Sequence, residues 1–330
     1  MGNSILVTGA TGVVGRRAVP LMVVAGHRVT AAGRSAAKLA DLERMGATPR
    51  EVDLFDPEAV RRAVEGHEVV VNLATHIPPS SVRMLLPGAW RENDRIRRDA
   101  SRILADTAIV AGARRFIQES FAPMYADGGD AWIDERSRLR PSRYNRSSVA
   151  AEASAQRTTE NGLTGIVLRF GAFYGPDAHQ TRDMIKLVRK GWAPLPGSPE
   201  AFVSSVSHDD AATAVVAALG LDEGVYNVVD DAPLTRREFA DSLAEALGVP
   251  TTRFAPAWIV RLGGSLGEML SRSLRISNRK LRAATGWAPI YPSVREGWPA
   301  IVEELEAPRE TGAAGPELRR SAAPPPDARP

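Results

Sequence analysis

The chain has 330 residues, of which 44% are hydrophobic and 25% are charged, and these are ordinary proportions for a globular protein. Its formal net charge of +3 is small and spread along the chain, so we expect neither a nucleic-acid partner nor a membrane partner. The chain contains no cysteine, which excludes disulfides, thiolate zinc sites and a cysteine nucleophile. We expect a cytoplasmic protein, because the first residues lack a secretory signal pattern and no apolar run approaches the length of a membrane span.

The first half of the chain alternates short apolar runs with helical patterns. The predicted strands cover residues 4–7, 28–32, 50–53, 68–73, 116–120 and 166–170. The predicted helices cover residues 36–45, 57–64, 93–111 and 147–160, with another that ends near residue 24. Strands separated by helices imply βαβ units and a parallel sheet buried on both faces. We therefore predict an α/β fold with a doubly wound parallel sheet.

The second half is less regular, with helical patterns at 184–190, 209–219 and 236–247 and one strand at 225–229. We predict that residues 1–174 and 201–231 form the main domain. Residues 175–200 and 232–305 are predicted to form a smaller, interleaved C-terminal substrate lobe, in which 258–270 reads as a buried helix edge. Residues 306–330 have little apolar surface to bury, and we predict a disordered tail.

A glycine-rich segment, TGATGVVG at residues 8–15, lies between the first strand and the first helix. Gly9 permits a tight turn, Gly12 lets the backbone approach a pyrophosphate, and Gly15 lets the helix pack close to the strand. The alternative is a plain glycine-rich turn. The predicted contacts with a dinucleotide come from Thr8, Gly9, Thr11, Gly12, Val13, Val14 and Gly15.

The spacing TGxxGxxG resembles the short-chain dehydrogenase/reductases, and later segments resemble the extended branch, the epimerase/dehydratase family. These segments are VDL at 52–54, NLA at 72–74, LRFGAFYGP at 168–176, HDDA at 208–211, GVYNV at 224–228 and GWAP at 286–289. The resemblance covers about residues 3–305 and implies a Rossmann fold with an NAD(P) cofactor. It also implies cofactor contacts from Asp53, Leu54, Leu73, Ala74, Thr75 and Phe170.

The choice between NAD and NADP depends on the end of the second strand. An acidic residue there would bind a free ribose hydroxyl, whereas this chain has Arg34 and Ser35, with Lys38 one turn later. Arg34 can pair with a 2′-phosphate, although an arginine here can also be simply solvated. Arg16 and Arg17 add positive charge near the glycines. We therefore predict NADP rather than NAD.

The resemblance also implies a catalytic Ser or Thr, a Tyr, and a Lys four residues after the Tyr. Tyr144 matches the tyrosine by position, but the lysine position is Ser148, and Arg146 does not share the helix face of Tyr144. Ser120 lies one residue before the expected serine position, which is Phe121, and a local shift could still bring Ser120 into the pocket. The catalytic candidates are therefore Tyr144, Ser120, Ser148 and Glu119. Without a cation on its helix face, we expect Tyr144 to stay protonated and to serve as an acid, which favours reduction.

Other polar residues near the expected pocket are weaker candidates. Glu119 is either an active-site carboxylate or the partner of a nearby arginine. His76, Arg143, Tyr174 and His179 are further residues that could reach a substrate, and the histidines and carboxylates show no metal-ligand spacing.

We expect an NADP-dependent oxidoreductase that acts on a small organic carbonyl or hydroxyl compound, either a sugar nucleotide or an intermediate of secondary metabolism. Two alternatives remain open: a non-redox cyclase, lyase or isomerase on the same scaffold, and a catalytically silent NADP-sensing protein. The helices at 93–111 and 147–160 are candidates for a homodimer face.

Overall fold

The computed structural model describes residues 2–78, 81–84, 86–262 and 264–307. Its strands are, in chain order, β1 (Ser4–Thr8), β2 (Arg28–Gly33), β3 (Thr48–Glu51), β4 (Val69–Asn72), β5 (Arg115–Phe121), β6 (Trp132–Ile133), β7 (Thr164–Phe170), β8 (Ala172–Tyr174), β9 (Phe202–Val203), β10 (Ser205–Ser207), β11 (Gly224–Val228), β12 (Leu234–Thr235) and β13 (Arg275–Ile276).

The helices are α1 (Gly15–Val24), α2 (Ala36–Arg44), α3 (Pro57–Val64), α4 (Ser81–Met84), α5 (Arg91–Arg95), α6 (Ser101–Val110), α7 (Arg146–Glu160), α8 (His179–Arg189), α9 (His208–Ala217), α10 (Arg236–Ala246), α11 (Ala257–Leu262), α12 (Gly264–Ser271), α13 (Arg279–Thr285) and α14 (Val294–Glu306). Short 3-10 turns occupy Pro87–Trp90, Ala122–Met124 and Ala218–Gly220.

Seven strands form one sheet in the order β11-β7-β5-β4-β1-β2-β3. Every neighbouring pair in this sheet is parallel. The strand order runs outward in opposite directions from β1, so a crevice opens between the carboxyl ends of β1 and β4, where ligands bind in sheets of this kind. The predicted doubly wound α/β fold is confirmed.

Alternate residues of the central strands face opposite layers of helices, as the period of a strand requires. Ile5 and Val7 join the hydrophobic cluster that includes residues of α1 and α9, whereas Leu6 joins the cluster formed with α3 and α6. Both faces are therefore covered, which explains why β1 and β4 are almost uninterrupted apolar runs.

The remaining strands form short pairs outside the main sheet: β8 with β10, β9 with β12, and β6 with β13. A separate hydrophobic cluster joins side chains of α8, α10 and α14 around Trp298. The domain boundaries given above stay predictions, and the predicted tail lies beyond the described residues except for Glu306 and Ala307.

Two predicted helices differ from the structure. The helix predicted at 93–111 is divided into α5, a π-helical segment at Ile96–Ala100, and α6. The segment predicted as a buried helix edge at 258–270 forms α11 and α12 instead, and Trp258 and Leu262 are 62% and 79% exposed. The buried apolar side chains described there are Leu266 and Met269, on α12. Within the described residues, no helix is long and apolar enough to cross a membrane.

Candidate active site

The glycines of the loop after β1 are required for different reasons. Gly9 has φ +69°, and a Cβ there would lie 2.5 Å from the carbonyl carbon of Leu73. A Cβ on Gly15 would lie 2.7 Å from the Cα of Ala10. Gly12 is exposed, and a Cβ there would approach only the Gly9 oxygen, at 3.2 Å. Gly9 and Gly15 therefore serve the fold, and Gly12 leaves open space beside the loop.

This open space fits the pyrophosphate of a dinucleotide. The amides of Arg16 and Arg17 in the first turn of α1 donate to the backbone oxygens of Gly12 and Val14, and the helix dipole favours an anion at that end. Val13 and Thr11 are half-buried beside Gly12, whereas Val14 belongs to the hydrophobic core.

The hydroxyl of Thr8 has a hydrogen-bond partner inside the protein. Thr8 Oγ1 is buried and donates to Asn72 Oδ1 at 2.7 Å, and the Asn72 amide donates in turn to Ser101 Oγ and Gln118 Oε1. This network ties β1 to β4 and β5. The Thr8 hydroxyl is therefore used inside the sheet, and a cofactor contact from Thr8 stays a prediction.

The residues predicted to bind the adenosine end lie at the carboxyl ends of β2 and β3. The Arg34 side chain is 66% exposed, and its Nη1 lies 3.5 Å from Glu92 Oε1. Lys38 is exposed and Ser35 is half-buried. Asp53 is exposed and accepts a hydrogen bond from the Phe55 amide at 2.9 Å. These side chains are accessible, and their contacts with a cofactor stay predictions.

Arg95 is a neighbouring cation that the sequence motifs did not indicate. Its guanidinium carbon lies 3.6 Å from the centroid of the Phe55 ring. Arg95 lies on α5, the helix that also carries Glu92. No sequence signal linked Arg95 to residue 55, because the contact depends on how α5 packs against the loop after β3.

Arg16 and Arg17 do not provide free positive charge at the loop. Both pair with Asp177, with Arg17 Nη2 at 2.6 Å, and Arg17 Nε also lies 2.6 Å from Asp209 Oδ1. The expectation of extra positive potential is therefore wrong. These ion pairs instead join the first turn of α1 to the segments around residues 177 and 209.

Tyr144 is 4% exposed and lies just before α7. Arg143 Nη2 donates a hydrogen bond to the Tyr144 hydroxyl oxygen at 2.7 Å. The ring meets Trp90 edge-on, with centroids 6.2 Å apart, and belongs to a cluster with Leu266 and Met269. A cation therefore reaches the hydroxyl from the preceding residue, which lies before the first turn of α7.

The position of the family lysine carries no charge. Ser148 is fully buried, and its Oγ has no hydrogen-bond partner within the described parts of the chain. The structure shows no group that Ser148 could activate, and its catalytic role stays a prediction.

The Ser120 hydroxyl forms a hydrogen bond inside the protein. Its Oγ donates to Glu152 Oε1 at 2.6 Å, and Arg169 donates to both oxygens of the same carboxylate. Arg169 Nη1 also donates to the Tyr125 hydroxyl, which donates to Asn227 Oδ1. Burial raises the pKa of Tyr125 to about 12. The Ser120 hydroxyl belongs to this buried network, and its catalytic role stays a prediction.

Glu119 is the partner of an arginine, the second of the two possibilities open at the sequence level. Arg97 Nη2, in the π-helical segment, donates to Glu119 Oε1 at 2.6 Å, and both side chains are buried. Glu119 Oε2 and Arg97 Nε have no partner among the described residues. π-Helical segments are frequent near functional sites, and this one brings Arg97 to the carboxyl end of β5.

The other predicted residues are placed as follows. Leu73 and Ala74 are buried, Thr75 and Leu54 are half-buried, His76 and His179 are exposed, and Phe170 is buried against Phe173. Tyr174 packs against Trp298, and burial raises the pKa of its hydroxyl well above the ordinary range. The suggestion that Tyr174 reaches a substrate is therefore wrong. No group of three His, Asp or Glu side chains within the described ranges is placed to hold a metal.

Comparisons with known proteins agree with this geometry. A family model described as NAD(P)H-binding matches residues 9–222. The chain is similar to 3-diazoavenalumate denitrifying reductase of Streptomyces sp, with 33% identity over 307 residues, covering 89% of this chain and 98% of the relative. It is also similar to 2-alkyl-3-oxoalkanoate reductase of Shewanella oneidensis, with 24% identity, covering 83% of this chain and 73% of the relative.

Among solved structures, the fold is similar to that of a human epimerase family protein crystallised with NADPH. The TM-score is 0.77 at 22% sequence identity, and the match covers 92% of this chain and 100% of that one.

Proposed function

The chain belongs to the extended short-chain dehydrogenase/reductase family of NAD(P)H-binding proteins, and on that premise we propose that it is an NADPH-dependent reductase with Tyr144 as proton donor. When bound, NADPH supplies the hydride. The loop at 9–15 would hold the pyrophosphate, and Arg34 and Lys38 would attract the 2′-phosphate because neither β2 nor the loop after it offers a carboxylate to a free ribose hydroxyl.

The contact between Arg143 and Tyr144 carries this proposal. A guanidinium only donates hydrogen bonds, so the phenol oxygen accepts from Arg143 and its own proton remains available to another acceptor. This arrangement favours donation of a proton and therefore reduction.

The leading substrate is a ketone. A carbonyl carbon accepts the hydride while its oxygen takes the Tyr144 proton, and the product is a secondary alcohol. The relative named 2-alkyl-3-oxoalkanoate reductase supports a ketone of this type. General acid assistance of this kind contributes about 100-fold to 10,000-fold to a rate.

A second candidate substrate is an aryl diazonium ion. Ser120 is held by Glu152, so a carbonyl oxygen would lack the second donor that the family provides. A diazonium ion needs no such donor, because its terminal nitrogen takes the hydride, the carbon–nitrogen bond breaks, dinitrogen leaves, and the hydrogen ends on the ring carbon. The 33% identical denitrifying reductase supports this candidate.

Two probes separate these candidates: 2-methylacetoacetate as the ketone and benzenediazonium as the diazonium ion. NADPH absorbance and product are measured together for the wild type, Tyr144→Phe and the control Tyr226→Phe, whose hydroxyl donates to the Asp222 backbone instead. We expect Tyr144→Phe to slow ketone reduction by about 100-fold or more, and to leave diazonium reduction near the wild-type rate.

The same measurements can contradict the proposal. Product formed while NADPH stays unchanged would favour a non-redox enzyme. NADPH binding without turnover of either probe would favour a nucleotide-sensing protein. Ketone reduction at the wild-type rate in Tyr144→Phe would remove Tyr144 from the mechanism.

A further inference from the structure

Arg143 is a cation without an acidic partner beside the reacting hydroxyl. Its side chain is exposed, and its guanidinium contacts the hydroxyl and the ring of Tyr144. Within the described residues, no carboxylate lies within ion-pair distance of it, whereas Arg97 and Arg169 each hold one. The charge of Arg143 is therefore available to something outside the protein.

The segment that leads to Tyr144 is strongly basic. Residues 136–146 contain five arginines and no acidic residue, and all five side chains are exposed. Among the five, Arg140 is the one whose guanidinium lies within ion-pair distance of a described carboxylate, with Nη1 at 3.7 Å from Glu268 Oε1. Clustered charge of one sign raises the local concentration of oppositely charged ligands and speeds their arrival. This surface therefore favours an anionic substrate.

The surroundings of Tyr144 on its other side are apolar. Trp90, Leu266 and Met269 pack around its ring, and Met84 packs against the same cluster. Apolar surroundings strengthen a charge-assisted hydrogen bond nearby, and methionine sulfur and tryptophan make favourable contacts with aromatic rings. The guanidinium of Arg143 therefore lies beside a buried apolar cluster, which strengthens the hydrogen bonds that it donates.

We propose that Arg143 binds a carboxylate of the substrate. One N–H of Nη2 is used on Tyr144, and the remaining N–H donors of the guanidinium suit the two oxygens of a carboxylate. The same side chain then fixes the substrate relative to the hydroxyl that protonates it. This inference rests on the proposed function, because the identity of the reacting hydroxyl defines the place of the carboxylate.

The test measures binding by calorimetry, with the full chain saturated with NADP⁺. The probes are benzoate and benzamide, which have nearly the same shape and differ in charge. We expect wild-type protein to bind benzoate at least about tenfold more tightly than benzamide, and Arg143→Gln to lose that preference. Arg143→Lys should keep part of it, because the charge remains while the planar fork is lost.

Arg146→Gln is the matched control, because Arg146 is also exposed and has no carboxylate within ion-pair distance among the described residues. We expect it to bind benzoate like the wild type. Equal binding of benzoate and benzamide by the wild type would overturn the inference. So would unchanged benzoate binding in Arg143→Gln, or the absence of wild-type binding at about 10 mM benzoate.

This binding experiment is independent of turnover. If benzoate binding requires Arg143 but neither reductase probe is consumed, only the proposed function fails. If the ketone is reduced but the affinity for benzoate is the same in Arg143→Gln and the wild type, only the carboxylate inference fails.

Discussion

The loop after β1 and the carboxyl end of β5 lie along the same edge of the sheet, and they use their polar groups differently. In the loop, Gly12 is exposed and leaves open space beside the backbone. At the end of β5, Gln118, Glu119 and Ser120 all have partners inside the protein. One region leaves space beside its backbone, and the other uses its polar side chains for the fold.

The chain departs from its family in the catalytic side chains and not in the glycine loop. The loop depends on backbone shape, which glycines alone supply, so its pattern remains intact. The catalytic set depends on side chains, which neighbouring residues can replace or bind. Here Glu152 accepts a hydrogen bond from Ser120. Arg143 supplies the cation at Tyr144 that Ser148 does not.

The largest effect that we expect comes from removing Glu152. Glu152→Ala leaves the buried Arg169 guanidinium without its carboxylate, and we expect the free energy of unfolding to fall by about 3–5 kcal/mol. Glu160→Ala, exposed on the same helix, should change it by less than about 0.5 kcal/mol. Chemical denaturation of both variants measures the difference, and equal stabilities would show that the network near β5 contributes little to the fold.

The next effect concerns the loop. Gly12→Val places a branched side chain in the space for the pyrophosphate, and we expect NADPH binding to weaken by about 1,000-fold while the protein stays folded. Gly15→Val is the contrasting variant, because its side chain meets backbone and should lower stability by about 1–3 kcal/mol. Fluorescence titration with NADPH and thermal unfolding separate the two. Normal cofactor binding by Gly12→Val would show that the loop is a simple turn without a role in binding.

A smaller effect tests the cofactor preference. Arg34→Asp removes the cation at the end of β2, and we expect NADP⁺ binding to weaken by about 1–3 kcal/mol while NAD⁺ binding changes little. Lys190→Asp, a charge reversal after α8, is the control for a general loss of positive charge. Calorimetry with both cofactors decides the matter, and equal wild-type affinities for NADP⁺ and NAD⁺ would contradict the preference.

The smallest effect that we expect at neutral pH concerns His208 and the free energy of unfolding. Burial lowers the pKa of His208 to about 3, and the nearby Arg17 acts in the same direction. Below its ordinary pKa of 6.5 the unfolded histidine binds a proton that the folded one does not, so His208 lowers stability as the pH falls from 6.5 toward 3. His208→Phe should reduce this loss, as measured by unfolding at pH 7 and pH 4. A loss of the same size in the variant would assign the acid sensitivity to other groups.

The sequence predicted the sheet well because its strands are apolar runs with helices between them. All seven strands of the parallel sheet have counterparts among the predicted strands. The π-helical segment at Ile96–Ala100 was not predicted, because one inserted residue scarcely changes the helical period. The division of 258–270 was missed because apolar composition does not show which side chains face solvent.

The site was predicted unevenly for a related reason. Motifs fix backbone geometry within a few residues, so the loop could be read directly. The pairs Ser120–Glu152 and Arg97–Glu119 join residues more than twenty positions apart, and no local pattern indicates them. Arg143 could have been considered, because Tyr144 precedes α7 and the spacing rule for a helix face does not apply to it.

The central claim is that a hydride passes from NADPH to the substrate. The most direct measurement uses NADPH deuterated at C4 of the nicotinamide, with mass spectrometry of the products from the ketone and diazonium probes. We expect loss of NADPH absorbance with both probes and one deuterium on the alcohol carbon of the ketone product, whereas the deuterium that the diazonium ion takes on nitrogen exchanges with water. Product that forms without deuterium while NADPH absorbance stays unchanged would contradict the central claim.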